Sequence, residues 1–178
     1  MFHHILALSY FEKCLYAGLG ASSFMQLKVD DSAPVFESVT ETGEKFSLGD
    51  LLGKTNIVLY FYPKDFTSGC TKEACTFRDN WDKVISMGAT IIGVSSDSPE
   101  THSRFKKEHS LQFTLVSDQN KLVRKLYGID SKFIPPRATF IIDKRGKIRN
   151  IFNSQLNITK HIEEALGTLD SISKEAPA

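Results

Sequence analysis

Residues 57 to 76 read Ile57-Val58-Leu59-Tyr60-Phe61-Tyr62-Pro63-Lys64-Asp65-Phe66-Thr67-Ser68-Gly69-Cys70-Thr71-Lys72-Glu73-Ala74-Cys75-Thr76. The first six are a continuous apolar run of strand length, the pattern of a strand buried on both faces of a partly parallel sheet. Pro63 ends the run, and a short polar loop leads to Thr67 and Ser68, either of which suits a helix N-cap. Beyond them Ala74, Phe77, Trp81, Val84 and Ile85 are spaced as one helix that stops at Gly88. Ala89-Thr90-Ile91-Ile92-Gly93-Val94-Ser95 is then a second buried strand, which closes a βαβ unit over residues 57 to 95.

Working outward, Val35 to Val39 and Lys45 to Leu48 alternate around Glu41-Thr42-Gly43-Glu44, which predicts a β-hairpin. Asp97 or Ser98, followed by Pro99 at a first helical position, opens a helix to about Glu108. Phe113 to Val116 is a short strand, and Asp118 can cap a helix over Lys121 to Tyr127 that stops at Gly128. After Pro135-Pro136, the strands Ala138 to Ile142 and Ile148 to Phe152 flank Asp143-Lys144-Arg145-Gly146-Lys147 as a second hairpin. Ile162, Ala165, Leu169 and their neighbours form a terminal amphipathic helix from Thr159. The expected architecture is a three-layer α/β fold, a mixed β-sheet flanked by helices with an N-terminal β-hairpin. The two-cysteine segment then lies beyond the carboxyl end of an inner strand, where open α/β sheets bind ligands.

The chain has 178 residues, 41% of them hydrophobic, which suffices for one domain with a full core. Residues 25–170 are expected to form it, with 1–24 an extension and 171–178 a frayed tail. The formal charge of +1, from 22 basic and 21 acidic residues, is spread without long runs. Neither a nucleic-acid groove nor a membrane-binding face is expected. Three cysteines are too few for a disulfide scaffold, and the odd count leaves at least one thiol unpaired. No apolar run approaches the roughly 20 residues needed to cross a bilayer. Ile5 to Phe11 resembles a short signal core, but no Lys or Arg precedes it and Glu12-Lys13 interrupts it. The expected compartment is cytoplasmic, with export or an organelle as the alternative if residues 1–24 are a targeting segment.

A free cysteine is only about 3% thiolate at pH 7, so a nucleophilic one needs a helix N-terminus or a cation beside it. Cys70 is placed for both. The first helical turn contributes only about 0.3 to 1 kcal/mol at an exposed site, so a cation is required as well. Arg137, just before a strand, is the candidate, since its planar fork could hold a thiolate and polarise a substrate oxygen. The Thr67 hydroxyl both accepts and donates and could bridge thiolate and substrate, while Glu73 could fix Arg137 through a charge-assisted pair. In an intact helix, positions 70 and 75 have Cα atoms about 8.6 Å apart and face about 140° away from each other. A disulfide needs Cα atoms within about 7 Å. Reaction between Cys70 and Cys75 therefore requires the first turns to unwind, a cycle of local unfolding.

Pro63-Lys64-Asp65-Phe66-Thr67-Ser68-Gly69-Cys70, with Glu73 behind it, resembles the Pro-x-x-x-Thr/Ser-x-x-Cys signature of the peroxiredoxins. Cys75, five residues on, resembles the resolving cysteine of their bacterioferritin-comigratory, or Q, subfamily. The likeness runs from about Gln26 to Leu169 and includes Ala33-Pro34-x-Phe36 and the strand Pro136-Arg137-Ala138-Thr139-Phe140-Ile141-Ile142-Asp143 that carries the family's arginine. Ser68 departs from the proline of many members, and residues 1–24, with Cys14, have no counterpart. The resemblance implies a thioredoxin-like fold and a thiol peroxidase in which Cys70 is peroxidatic and Cys75 resolving. It puts Thr67, Arg137 and Glu73 beside the sulfur and Pro63, Phe66 and Gly69 at the substrate. It also implies a hydroperoxide substrate, a thioredoxin-type dithiol reductant, no cofactor or metal, and a monomer, because an intramolecular resolving cysteine needs no second subunit. A general thiol-disulfide oxidoreductase and a non-catalytic thioredoxin-like module are the alternatives. The first is disfavoured because the cysteines are not in Cys-x-x-Cys.

Overall fold

The structure is a computed structural model that describes residues 26–131 and 136–175. Expectations for residues 1–24 and Cys14 lie outside the described residues. Seven strands form one sheet: β1 (Glu37–Thr40), β2 (Lys45–Ser47), β3 (Asn56–Phe61), β4 (Ala89–Ser95), β5 (Thr114–Ser117), β6 (Ala138–Ile142) and β7 (Ile148–Asn153), in spatial order β2-β1-β5-β4-β3-β6-β7. β3, β4 and β5 run parallel, while β1 joins β5 and β6 joins β3 in antiparallel register. This is the expected mixed sheet. Gly43 (φ 80°) and Gly146 (φ 77°) sit in the turns of the two hairpins, where the left-handed backbone favours glycine.

The helices are α1 (Ser68–Asp79), α2 (Trp81–Ser86), α3 (Pro99–Glu108), α4 (Leu122–Leu126) and α5 (Lys160–Lys174). The buried run of β3 divides by parity. Val58 and Tyr60 join Ala74, Phe77, Phe105, Ala165 and Leu169 on one face of the sheet. Ile57, Leu59 and Phe61 join Phe36, Leu48, Val123 and Tyr127 on the other. Two cores on opposite faces make the three layers, so β3 is apolar throughout because both of its faces need covering.

Two expectations are corrected. Residues 68 to 86 are two helices, because the Asn80 side chain donates to the Thr76 carbonyl (2.9 Å) and its backbone N–H bonds Phe77 three residues back. A side-chain donor thus takes the carbonyl that the ladder would have used. Ile85, counted on the apolar face, is half-exposed. At the other end, α5 runs to Lys174, past the expected fraying point at Ser171. Arg149 of β7 ties this end down by donating to Glu175 (Nη1, 2.9 Å) and to Asp143 (3.3 Å).

Gly93 of β4 shows how closely the first core is packed. A Cβ there would lie 2.7 Å from the Tyr60 hydroxyl and 2.8 Å from Leu115 Cδ2. Tyr60 cannot swing aside, because its ring is stacked on Phe77 (4.5 Å) and Tyr62 (5.3 Å). Gly93→Ala should therefore destabilise the protein by about 1 to 3 kcal/mol through overpacking. Urea unfolding checks this, and an unchanged midpoint would contradict the packing argument.

Candidate active site

The register of the sheet assembles the site. β6 pairs with β3 so that Ala138 lies opposite Phe61. Residue 137 is thus held next to the end of β3, from which the chain passes through Pro63 to Thr67 into α1. Thr67 takes the N-cap position (φ −84°, ψ 145°), its carbonyl accepts the Thr71 N–H at 2.8 Å, and Cys70 is the third residue of the helix. The free N–H groups and positive pole of a helix start are therefore near its sulfur.

Arg137, 67 residues away in sequence, donates from Nη2 to Cys70 Sγ at 3.3 Å. Its Nη1 donates to Glu73 Oε2. Cys70, Glu73 and Arg137 are 1%, 1% and 5% exposed, so the guanidinium is shared by a sulfur and a carboxyl in a nearly dry setting. Burial pushes the Glu73 carboxyl up to about 8, against the pull of Arg137. Cys75 is half-buried, and both it and Cys70 are free thiols on one unbroken α1.

The residues expected at the substrate divide. A Cβ on Gly69 would stand 3.3 Å from both Arg137 Nη2 and Ile158 Cδ1, so the missing side chain lets the guanidinium and the loop before α5 close on the helix start. The Phe66 ring packs edge-on against Phe105 of α3 (5.2 Å), with the Arg104 guanidinium over it at 5.6 Å. Pro63 is partly buried in the loop. Thr67 is exposed, and its hydroxyl donates to the Lys64 carbonyl at 3.0 Å. With its proton directed to Lys64, the Thr67 oxygen keeps its lone pairs as acceptors in this geometry.

Sequence reasoning missed two groups. Asp65, inside the loop, accepts from the Tyr62 hydroxyl (2.7 Å) and pairs with His102 Nδ1 of α3 (2.7 Å). Its own N–H donates to Asp97 (2.9 Å). These anchors hold the loop where Phe66 has φ 59°, a conformation that costs a residue with a Cβ about 1 to 2 kcal/mol. The second group is His161, fully buried at the start of α5 and 3.7 Å from Glu73. One signal for it was available: 161, 165 and 169 form an i, i+4, i+8 row on the apolar face of α5.

A thioredoxin-like sheet with a buried, arginine-paired cysteine at a helix start defines a thiol enzyme of the peroxide-reducing class. Residues 29–151, more than half of the chain, match the model of the AhpC/TSA family. A chloroplastic peroxiredoxin Q of Sedum lineare is 40% identical over 154 residues, 85% of this chain and 82% of that protein. A Coxiella burnetii protein named peroxiredoxin bcp is 40% identical over 82% of this chain and its own full length. Among solved structures, peroxidoxin BcpB from Mycobacterium tuberculosis superposes with a TM-score of 0.78 at 32% identity, covering 82% of this chain and 98% of that one. The chain belongs to the AhpC/TSA family, within its peroxiredoxin Q or bacterioferritin-comigratory branch, and is a thiol peroxidase.

Glu73 gives a pH signature. Its carboxyl holds a proton more tightly folded than unfolded, so stability from this group is full below about 4.5 and is lost as pH rises through about 8. His161, held below its ordinary 6.5 by burial, acts in the opposite sense but only below that value. Between pH 6.5 and 8 the Glu73 contribution should therefore fall by up to about 1.4 kcal/mol per pH unit. Glu73→Gln should flatten that slope in urea titrations, and an identical slope in the variant would contradict it.

Proposed function

We propose that Cys70 is the peroxidatic nucleophile and that Cys75 resolves it within the same chain. The Cys70 thiolate attacks the terminal oxygen of hydrogen peroxide or an organic hydroperoxide. An S–O bond forms as the O–O bond breaks, and the leaving oxygen takes up a proton and departs as water or an alcohol. The Cys75 thiol then displaces water from the sulfenic acid to give the Cys70–Cys75 disulfide. A thioredoxin-type dithiol reduces that disulfide by exchange and is itself oxidised.

The observation that carries this reading is the Arg137 Nη2 contact with Cys70 Sγ at 3.3 Å, at a helix N-terminus and with Glu73 on the other arm of the guanidinium. A fixed cation at that position steadies the attacking thiolate and the negative charge that develops on the peroxide oxygens. Gly69 and Phe66 border the approach in this reading, and Thr67 accepts a hydrogen bond from the peroxide. Family membership favours it over a general oxidoreductase or a non-catalytic module.

Resolution within one chain needs no second subunit, and we propose a monomer. We also propose a cytoplasmic enzyme, with an organelle or export as the alternative. Relatives from plants carry chloroplastic names, and no helix among the described residues is long and apolar enough to cross a membrane. N-terminal sequencing of the mature protein reads that alternative directly.

In stopped flow with hydrogen peroxide, Cys70→Ser should lose about a thousandfold or more in rate. Cys75→Ser should keep one fast turnover and lose cycling with thioredoxin. Equal rates for wild type and Cys70→Ser would overturn the assignment.

Because α1 is continuous across both cysteines, the disulfide requires unwinding. Amides of residues 68 to 76 should lose protection from hydrogen exchange on oxidation. Unchanged protection in the oxidised protein would contradict the unwinding step.

A further inference from the structure

Asp65, in the loop that precedes Cys70, is 2% exposed and is gripped from three directions. Tyr62, just past β3, donates its hydroxyl to Oδ1 at 2.7 Å, and His102 Nδ1 of α3 lies 2.7 Å from Oδ2. The Asp65 N–H donates at 2.9 Å to Asp97 Oδ2, just past β4, and the Ser95 hydroxyl donates to the same oxygen at 2.6 Å. Each contact has its own proton. His102 Nδ1 has one hydrogen-bonding position, which Asp65 takes, and the Tyr62 hydroxyl, 3.3 Å from that nitrogen, spends its proton on Oδ1.

The His102 side chain is fully buried, and its Nε2 has no hydrogen-bond partner among the described residues. A side chain that only filled the space between α3 and the sheet would serve better without a bare nitrogen, because a buried polar atom lacking a partner costs stability. The carboxyl that His102 holds is buried as well, and a buried pair of this kind is weak evidence for stability. What the pair supplies is a fixed place for residue 65.

That place governs the residues that follow. Phe66 has φ 59°, a backbone that a residue with a Cβ keeps only when its surroundings hold it there. His102, Phe105 and His109 fall on one face at i, i+3 and i+7. The first takes Asp65, while the Phe66 ring packs on the other two at 5.2 and 6.3 Å. Thr67, the N-cap of α1, comes next, with Cys70 three residues beyond. The left-handed turn at Phe66 therefore sets the direction in which α1 leaves the loop, and Arg137, placed by β6, meets it from the other side.

We propose, resting on the peroxidase reading, that His102 is a positioning residue for peroxide attack. Through Asp65 it keeps Phe66 in the left-handed turn, and so presents the Thr67 oxygen and the Cys70 sulfur in register with Arg137. Without it Phe66 relaxes to an ordinary backbone and the start of α1 shifts. A reaction that needs several groups aligned then slows, while one that needs only the sulfur does not.

The test compares two reactions of Cys70 in the reduced protein: hydrogen peroxide, which needs the aligned site, and iodoacetamide, which needs only the sulfur. His102→Leu should lower the second-order rate constant with peroxide by about ten- to a hundredfold, with alkylation within about threefold of wild type. His102→Asn, whose amide stands where Nδ1 stands, should recover most of the peroxide rate. His102→Gln, whose amide stands where Nε2 stands, should not. A histidine that merely stabilised the fold would behave differently: loosening would expose the buried sulfur and speed alkylation, and the peroxide rates would follow the unfolding midpoints of the variants.

A folded His102→Leu with the wild-type peroxide rate, a fall matched by alkylation, or equal peroxide rates in the Asn and Gln variants would each overturn the proposal. If His102→Leu does not fold, Tyr62→Phe decides, since it takes one hydroxyl from the same carboxyl. It should slow peroxide and leave alkylation unchanged, and an unchanged peroxide rate there counts against the proposal. Cys70→Ser separates this outcome from the proposed function. Peroxide consumption that Cys70→Ser does not reduce would sink the peroxidase, whereas a Cys70-dependent rate indifferent to His102 sinks only the positioning role.

Discussion

The buried guanidinium of Arg137 is the constraint on which the rest of the site depends. Removing an arginine from water costs several kcal/mol even after relaxation, and only well-placed partners offset it. Here the partners are the Cys70 sulfur and the Glu73 carboxyl, one for each terminal nitrogen. Such a pair is weak evidence for stability, since apolar side chains of similar volume often serve a core as well. Its value lies in where it puts charge. The β3 to β6 register delivers residue 137 to the start of α1, and Gly69 leaves the room through which the guanidinium reaches the sulfur.

The same pair restrains motion. Glu73 lies between Cys70 and Cys75 in the chain, so its bond to Arg137 ties the first turns of α1 to the residue before β6. The loop before α1 has a separate anchor. Tyr62, His102 and Asp97 fix Asp65 from just past β3, from α3 and from just past β4, which holds the loop firmly beside the start of α1.

Several features were legible in the sequence because they arise locally. The apolar run of residues 57 to 62, the caps at Thr67 and Ser98 and the glycines of the two hairpins act over a few residues, and the elements formed where they pointed. The division at Asn80 was missed because apolar spacing continues across it, and the break comes from an amide reaching back to Thr76. The direction of the Thr67 hydroxyl, toward the Lys64 carbonyl, is visible only in the fold. The end of α5 was misread because its restraint comes from Arg149 on a different strand.

The sequence by itself determined the alternation of strands and helices, the helix-start position of Cys70 and the impossibility of a Cys70–Cys75 bond in an intact helix. These follow from chain geometry and propensities that operate within one or two turns. The partners Arg137 and Glu73 could be named from the sequence, but only the tertiary structure decided that they meet at Cys70 and which further groups surround them. Arg137 arrives through sheet register, and His161 through the packing of α5 against β6 and β7. A buried charge has no meaning in an extended chain, where water solvates every group alike. Its partners are chosen when folding removes that water.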